Sequence, residues 1–178
     1  KGKIVRQTFP SEIISIVGDI SAGIILTVLI LPFKSFILLI LIIPTLLSLR
    51  GNLSGPFIGR TSRDLIIGDF NKKTLLQSIL ATYFLSIATA SLIGIATVLL
   101  NLIFIKLIIV SQLKLLVMPL ISILITLTIS IPTSIILNLL AFRFGVDPNN
   151  VVNPIMTAVD DFFTVFAFYI TLILLGVP

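Results

Sequence analysis

The chain alternates between long apolar runs and short polar segments. The runs extend over about residues 13–31, 33–49, 74–105, 113–141 and 154–176. Each is long enough to cross a hydrocarbon core of about 30 Å as an α-helix, which takes about 20 residues. The pattern predicts an all-α polytopic membrane protein with five transmembrane helices.

Composition agrees with a membrane protein and excludes several kinds of site. Of the 178 residues, 57% are hydrophobic and only 11% are charged, which is more apolar sequence than a soluble core requires. The absence of Cys and His excludes thiolate zinc sites, Ser-His triads and Cys-attached haem. The basic residues lie between the apolar runs and not in one patch, so the net charge of +5 does not indicate a nucleic-acid partner.

The basic residues also predict the orientation. With five spans, nine of the twelve Lys and Arg residues fall on the side of the N-terminus. Positive charge accumulates on the cytoplasmic side of membrane proteins. We therefore expect an N-in/C-out integral membrane protein of the cell membrane.

The polar segment that follows the second run is predicted to be a loop. It begins with Arg50-Gly51-Asn52-Leu53-Ser54-Gly55-Pro56 and continues to Lys73. Irregular backbone of this composition at the end of a span can line an ion path with carbonyl groups and the Asn52 side chain. On residue types alone, an ordinary loop with an Asn cap is the alternative.

The fifth run contains two adjacent carboxylates, Asp160 and Asp161. We expect its helix to begin at Asn153-Pro154, because Asn is a favoured N-cap and Pro a favoured first residue. Both aspartates then lie at membrane depth, where a charge costs about 2.5–3.5 kcal/mol on an insertion scale. Carboxylates kept there need a bundle interior, a water-filled path, a proton or a cation.

Helix geometry separates these two carboxylates. Thr157 and Asp161 lie one turn apart on one face, whereas Asp160 points about 100° away. The two aspartates therefore cannot serve one site equally. We expect one to face a transport pathway and the other a subunit contact, unless this end of the helix is more hydrated than its apolar sequence indicates.

A third carboxylate, Asp19, lies in the first run. Asp19 shares a helix face with Ser15, Ala22 and Gly23, and small residues let another helix approach closely. Two interpretations stay open. Either this face is a packing stripe whose Asp bonds a neighbouring Ser or Thr, or Asp19 lines the pathway.

The oxygen-rich side chains suit a hard cation. Three of the seven acidic residues lie at membrane depth, accompanied by Thr, Ser and Asn. Mg²⁺ gives up water reluctantly, so a few carboxylates can hold it through its hydration shell, and Ca²⁺ or Mn²⁺ would use similar ligands. An ion- or proton-coupled carrier of another substrate is also open, because buried carboxyl groups can exchange protons.

An enzymatic alternative uses two of the same carboxylates. Asp19 and Asp161 could share a proton and activate water, as in an intramembrane aspartyl protease. However, Ile16 stands where the glycine-aspartate signature of such enzymes has its first glycine, and the chain has no Tyr-Asp pair. We therefore do not expect an enzyme.

Two sequence blocks resemble the membrane domain of MgtE-type magnesium channels and their eukaryotic solute-carrier relatives. One is PTLLSLRGNL, from Pro44 to Leu53, and the other is DPNNVVNPIMT, from Asp147 to Thr157, with Asp161 following at the family's spacing. The resemblance implies a single five-span membrane domain over residues 1–178, without the family's cytoplasmic magnesium-sensing region. It also implies a homodimer with the pathway at the subunit interface.

The resemblance also implies which residues bind the ion. Asp161 matches the aspartate that the family places at the hydrated-ion site of its pore, and Asn52 matches a Gly-Asn stretch near the pathway. Asp160 falls where relatives often have Gly or Asn. We expect Mg²⁺ as the transported ion and no organic cofactor, with Asp161 as the central ligand, Asn52, Thr157 and Asp19 as helpers, and Asp160 as the last member of the candidate set.

Overall fold

The computed structural model describes residues 2–33, 36–106 and 108–178, and these residues form five long helices. They are α1 (Gly2–Ile25), α2 (Phe36–Ile67), α3 (Lys72–Leu100), α4 (Gln112–Arg143) and α5 (Pro148–Leu174). Short π-helical segments, Leu26–Ile30 and Asn101–Ile105, continue α1 and α3. All five helices are long and apolar enough to cross a membrane, which confirms the predicted all-α, five-span architecture.

The second helix is longer than predicted, and the predicted loop after it is wrong. α2 continues without a break through Gly51, Gly55 and Pro56 to Ile67. Buried side chains on this extension, among them Leu53 and Phe57, pack into the bundle. Tertiary packing of this kind outweighs the low helix propensity of Gly and Pro.

This correction changes the charge pattern from which the orientation was predicted. Arg50 is buried inside α2 and does not lie in a loop, so it cannot be counted among the basic loop residues that indicate which side is cytoplasmic. Lys1 and Lys34, which also entered that pattern, lie outside the described residues. The N-in/C-out orientation therefore stays a prediction from the remaining basic residues.

The fifth helix begins earlier than the predicted start at Asn153-Pro154. Asp147 is the N-cap, its side chain accepting a hydrogen bond of 3.0 Å from the backbone N–H of Asn149. Pro154 lies inside the helix and cannot donate to the Asn150 carbonyl, four residues earlier. The Ser11 hydroxyl of α1 lies 3.2 Å from that oxygen and can supply the missing hydrogen bond.

α5 is the central helix of the bundle. It contacts α1, α2 and α4, and its buried residues are distributed along its whole length. Its Phe168 belongs to the largest apolar cluster, together with Leu46 of α2 and Met118 of α4. In contrast, α1 and α3 expose large apolar side chains such as Ile20 and Phe84, as expected for surfaces that contact lipid.

Polar side chains line the inner face of α4 at intervals of four residues. All of them are buried, and they are Ser122, Thr126, Ser130, Ser134 and Asn138. Several bond to other helices: the Ser122 and Thr171 hydroxyls are 3.0 Å apart, and Ser62 donates to Asn138 Oδ1 over 2.6 Å. Small hydroxyl-bearing residues allow close packing and supply hydrogen bonds between helices where water is absent.

Candidate functional site

Asp19 of α1 and Asp161 of α5 lie side by side where the two helices cross. Their carboxyl groups are close enough to share a hydrogen bond. The crossing depends on Gly18, because a Cβ atom built there would lie only 2.3 Å from the Cβ of Ala158. The structure thus brings together two of the predicted site residues from different helices.

This pair of carboxylates lies on the outer surface of the described bundle, on two helices that are long and apolar enough to cross a membrane. Each is near the middle of its apolar helix. Asp19 is exposed, Asp161 is half-buried, and Thr157, one turn before Asp161, is also exposed. Carboxylates at this depth would face hydrocarbon unless another surface or an ion covers them, which is unfavourable.

Part of the face that carries Asp19 packs against the bundle, since Ser15 and Ala22 are buried, whereas Asp19 itself is exposed. Within the described part of the chain, no Ser or Thr donates a hydrogen bond to Asp19. The nearby Ser21 hydroxyl instead donates to the Val17 carbonyl of its own helix over 2.8 Å. The partner of Asp19 is therefore the second carboxyl group.

An apolar groove lies at the same helix crossing, and neither Asp19 nor Asp161 is among its lining residues. It has a volume of about 300 Å³ and lies between α1 and α5. Its lining residues include Val17 and Phe162. Phe162 stacks on the exposed Phe166 with their ring centroids 6.5 Å apart, and Phe166 points about 140° away from Asp161 around the axis of α5, so these aromatic side chains form a different exposed strip of the helix.

Asp160 lies on another side of α5, inside the bundle. It is 1% exposed, and its Oδ1 accepts a hydrogen bond of 2.7 Å from Arg50 Nη2 and a second from the Ser130 hydroxyl. Arg50, also 1% exposed, donates to the Ser130 oxygen as well. Three helices of one chain thus meet in one buried ion pair, so the contact of Asp160 is made within the chain and is not the predicted subunit contact.

Sequence reasoning missed Arg50. Its position at the end of an apolar run suggested a boundary residue, although apolar residues continue on the same helical face at Leu53 and Phe57. That continuation is the signal that could have shown a helix extending past the arginine. The pairing with Asp160 has no local signal, because the two residues are 110 positions apart.

Asn52 is not hydrogen-bonded to the carboxylate pair in the part of the chain that the structure describes. It is exposed on α2, and among the described residues no hydrogen bond joins it to Asp19, Thr157 or Asp161. The described residues also contain no group of three or more acidic side chains arranged to hold a metal ion. A single chain therefore offers two carboxylates and the Thr157 hydroxyl at this site.

Comparison with known proteins gives one match. The family model described as MgtE, divalent cation transporter, matches residues 43–171, which is more than half of the chain. The matched range includes Asn52, Thr157 and both aspartates of α5, and Asp19 lies before it. No curated protein and no solved structure matches the chain.

Proposed function

Because the chain belongs to the MgtE family of divalent cation transporters, we propose that it carries Mg²⁺ across a membrane by a pathway centred on Asp161. The observation that carries this proposal is the position of Asp161 beside Asp19 on the outer face of two apolar helices. Two carboxylates at this depth repel each other, and a divalent cation would balance both charges at once.

The ligand chemistry fits a hydrated ion. Two carboxylates and the Thr157 hydroxyl cannot fill the six positions around Mg²⁺, which also binds its waters tightly. Asp161 and Asp19 would therefore accept hydrogen bonds from coordinated water, with Thr157 supporting them from the preceding turn. Ca²⁺ and Mn²⁺ are the alternative ions, since they prefer the same oxygen ligands.

We propose a homodimer as the transporting unit. The residues of the site face outward, and a second copy placed on this face would cover Asp19, Thr157 and Asp161. A twofold axis would bring two copies of Asp161 together. Asn52, on the exposed side of α2, would serve as a helper at this interface or at its opening. The proposed location is the cell membrane.

Asp160 has no place in the proposed ligand set. Its carboxylate is buried and already paired with Arg50, so a metal ion would have to displace a hydrogen-bonded guanidinium. Breaking a buried ion pair in this way is strongly unfavourable. We therefore assign Asp160 to the interior of the protomer.

The test is Mg²⁺ flux into proteoliposomes that enclose a fluorescent Mg²⁺ indicator. Asp161→Asn keeps the shape of the side chain and removes its charge, and we expect flux to fall to the level of empty liposomes. Asp69→Asn is the matched control, because Asp69 is exposed outside the helices. Normal flux in Asp161→Asn contradicts the proposal. Repeating the assay with Ca²⁺, Mn²⁺, Na⁺ and proton gradients identifies the ion and any coupling.

The closeness of Asp19 and Asp161 is also the geometry that an intramembrane aspartyl protease requires. The family match favours transport, because MgtE is a family of transporters and not of enzymes. The two functions differ in a simple assay. A protease cleaves transmembrane peptides in detergent and loses that activity in both Asp19→Asn and Asp161→Asn, whereas a transporter cleaves none.

A further inference from the structure

Arg50 places a permanent positive charge near the proposed cation site. Its guanidinium pairs with Asp160 at 2.7 Å, and Asp160 is the residue adjacent to Asp161 in α5. In the interior of a membrane protein little water screens this charge. A cation held there opposes the binding of a second cation unless its charge is balanced.

The guanidinium is held through one of its three nitrogens. One nitrogen, Nη2, makes the bonds to Asp160 and Ser130, while Nε is buried without a partner among the described residues. Oδ2 of Asp160 is likewise buried and unpaired within the described part of the chain. The contact is therefore made through a single pair of atoms and is not the two-point contact that arginine and carboxylate often form.

We propose that Asp160 is a positioning residue that keeps Arg50 away from Asp161 and so keeps Asp161 available to the transported ion. This inference rests on the proposed function. An unpaired buried charge is strongly unfavourable. If Asp160 loses its charge, the guanidinium gains by pairing with the next carboxylate along α5, which is Asp161. A tethered group has a high effective concentration, so Arg50 would then compete with Mg²⁺.

The alternative is that the ion pair serves only to pack α2, α4 and α5. The two roles predict different kinetics. A packing role predicts less folded protein and lower maximal flux in any variant that breaks the pair, with an unchanged KM for Mg²⁺. A positioning role predicts a change in KM that depends on whether the arginine is present.

The experiment measures the initial rate of Mg²⁺ uptake against Mg²⁺ concentration in proteoliposomes. We expect Asp160→Asn to raise KM about tenfold, the scale of one uncompensated charge near the site. The double variant Asp160→Asn with Arg50→Met lacks the guanidinium that would compete with Mg²⁺. Its KM should therefore return to within about threefold of the native value. A double variant that keeps the high KM, or an Asp160→Asn variant with native KM, overturns the proposal.

Two further variants separate this inference from the proposed function and from folding. Asp161→Asn tests the proposed function, and normal transport by this variant would show that the proposed site is wrong. If Asp161→Asn is inactive and Asp160→Asn has a native KM, only the positioning role of Asp160 is wrong. Ser130→Ala removes the third member of the cluster and leaves both charges, so KM should not change. If Asp160→Asn is not monodisperse, Arg50→Met alone still tests the proposal: its KM should fall below the native value, because the positive charge near the site is gone, and a native or raised KM overturns the proposal.

Discussion

Gly18 of α1 and Ala158 of α5 mark the closest approach of these two helices. A Cβ atom at position 18 would lie 2.3 Å from the Cβ of Ala158 and 2.7 Å from its Cα. The contact therefore excludes any side chain at position 18, however it is oriented. Because Asp19 follows Gly18 and Asp161 lies one helical turn after Ala158, the same contact sets the spacing of the two carboxylates.

The first prediction concerns this helix crossing. Gly18→Ala should force α1 and α5 apart, lowering stability by about 1–3 kcal/mol, as overpacking does, and weakening Mg²⁺ uptake because Asp19 moves away from Asp161. Gly23→Ala is the control on the same helix, since its Cβ would meet no atom within 4 Å. Thermal unfolding in detergent and flux in proteoliposomes measure both effects. Equal behaviour of the two variants would contradict the structure at this crossing.

The second prediction separates pathway from packing at Asp19. Asp19→Asn keeps the size of the side chain and removes one of the two charges that a bound cation would balance. We expect the KM for Mg²⁺ to rise about tenfold, with an unchanged unfolding temperature. Loss of stability at native KM would show instead that Asp19 has a packing role.

The third prediction tests the dimer. The chain contains no cysteine, so a single introduced thiol reports one contact. If two copies meet on the face of Asp161, oxidation of Thr157→Cys in the membrane should give a covalent dimer. Phe84→Cys is the control, because Phe84 is 78% exposed on α3, away from this face. Cross-linking of both variants to the same extent, or of neither, would argue against the proposed interface.

The fourth prediction concerns the polar inner face of α4. Asn138→Ala removes the acceptor of the Ser62 hydroxyl, which is fully buried. Leaving that hydroxyl unpaired costs about 1–3 kcal/mol, so the unfolding temperature should fall. The KM for Mg²⁺ should stay native, because neither residue bonds to the carboxylate pair. A changed KM would show that this interior hydrogen bond contributes to the site.

The spacing of apolar and polar residues was sufficient to predict the parts of the fold that depend on local sequence. Apolar run length predicted the five spanning helices, and the angle between successive helix residues predicted that Asp160 and Asp161 face different environments. Both outcomes follow from helix geometry, which depends only on position in the chain.

The errors arose where distant contacts override local preference. Gly51, Gly55 and Pro56 are typical of a loop, and the helix passes through them because its flanking apolar side chains are buried by other helices. The start of α5 was placed at Pro154 because the local signal there is strong. The carbonyl that this proline leaves unbonded is within reach of Ser11, a residue of α1 that no local pattern could identify. The roles of Asp161, Asp19, Thr157 and Asn52 in transport stay predictions.

The distance along the chain between Arg50 and Asp160 has a consequence for biosynthesis. The ribosome adds Arg50 110 residues before it adds Asp160, the partner of Arg50 in α5. Until then α2 carries an unpaired arginine whose cost at the centre of a membrane is about 2.5–3.5 kcal/mol. We expect the nascent α2 to stay near the membrane surface or in a protected position until α5 arrives, so that synthesis of the last helix completes the insertion of the second.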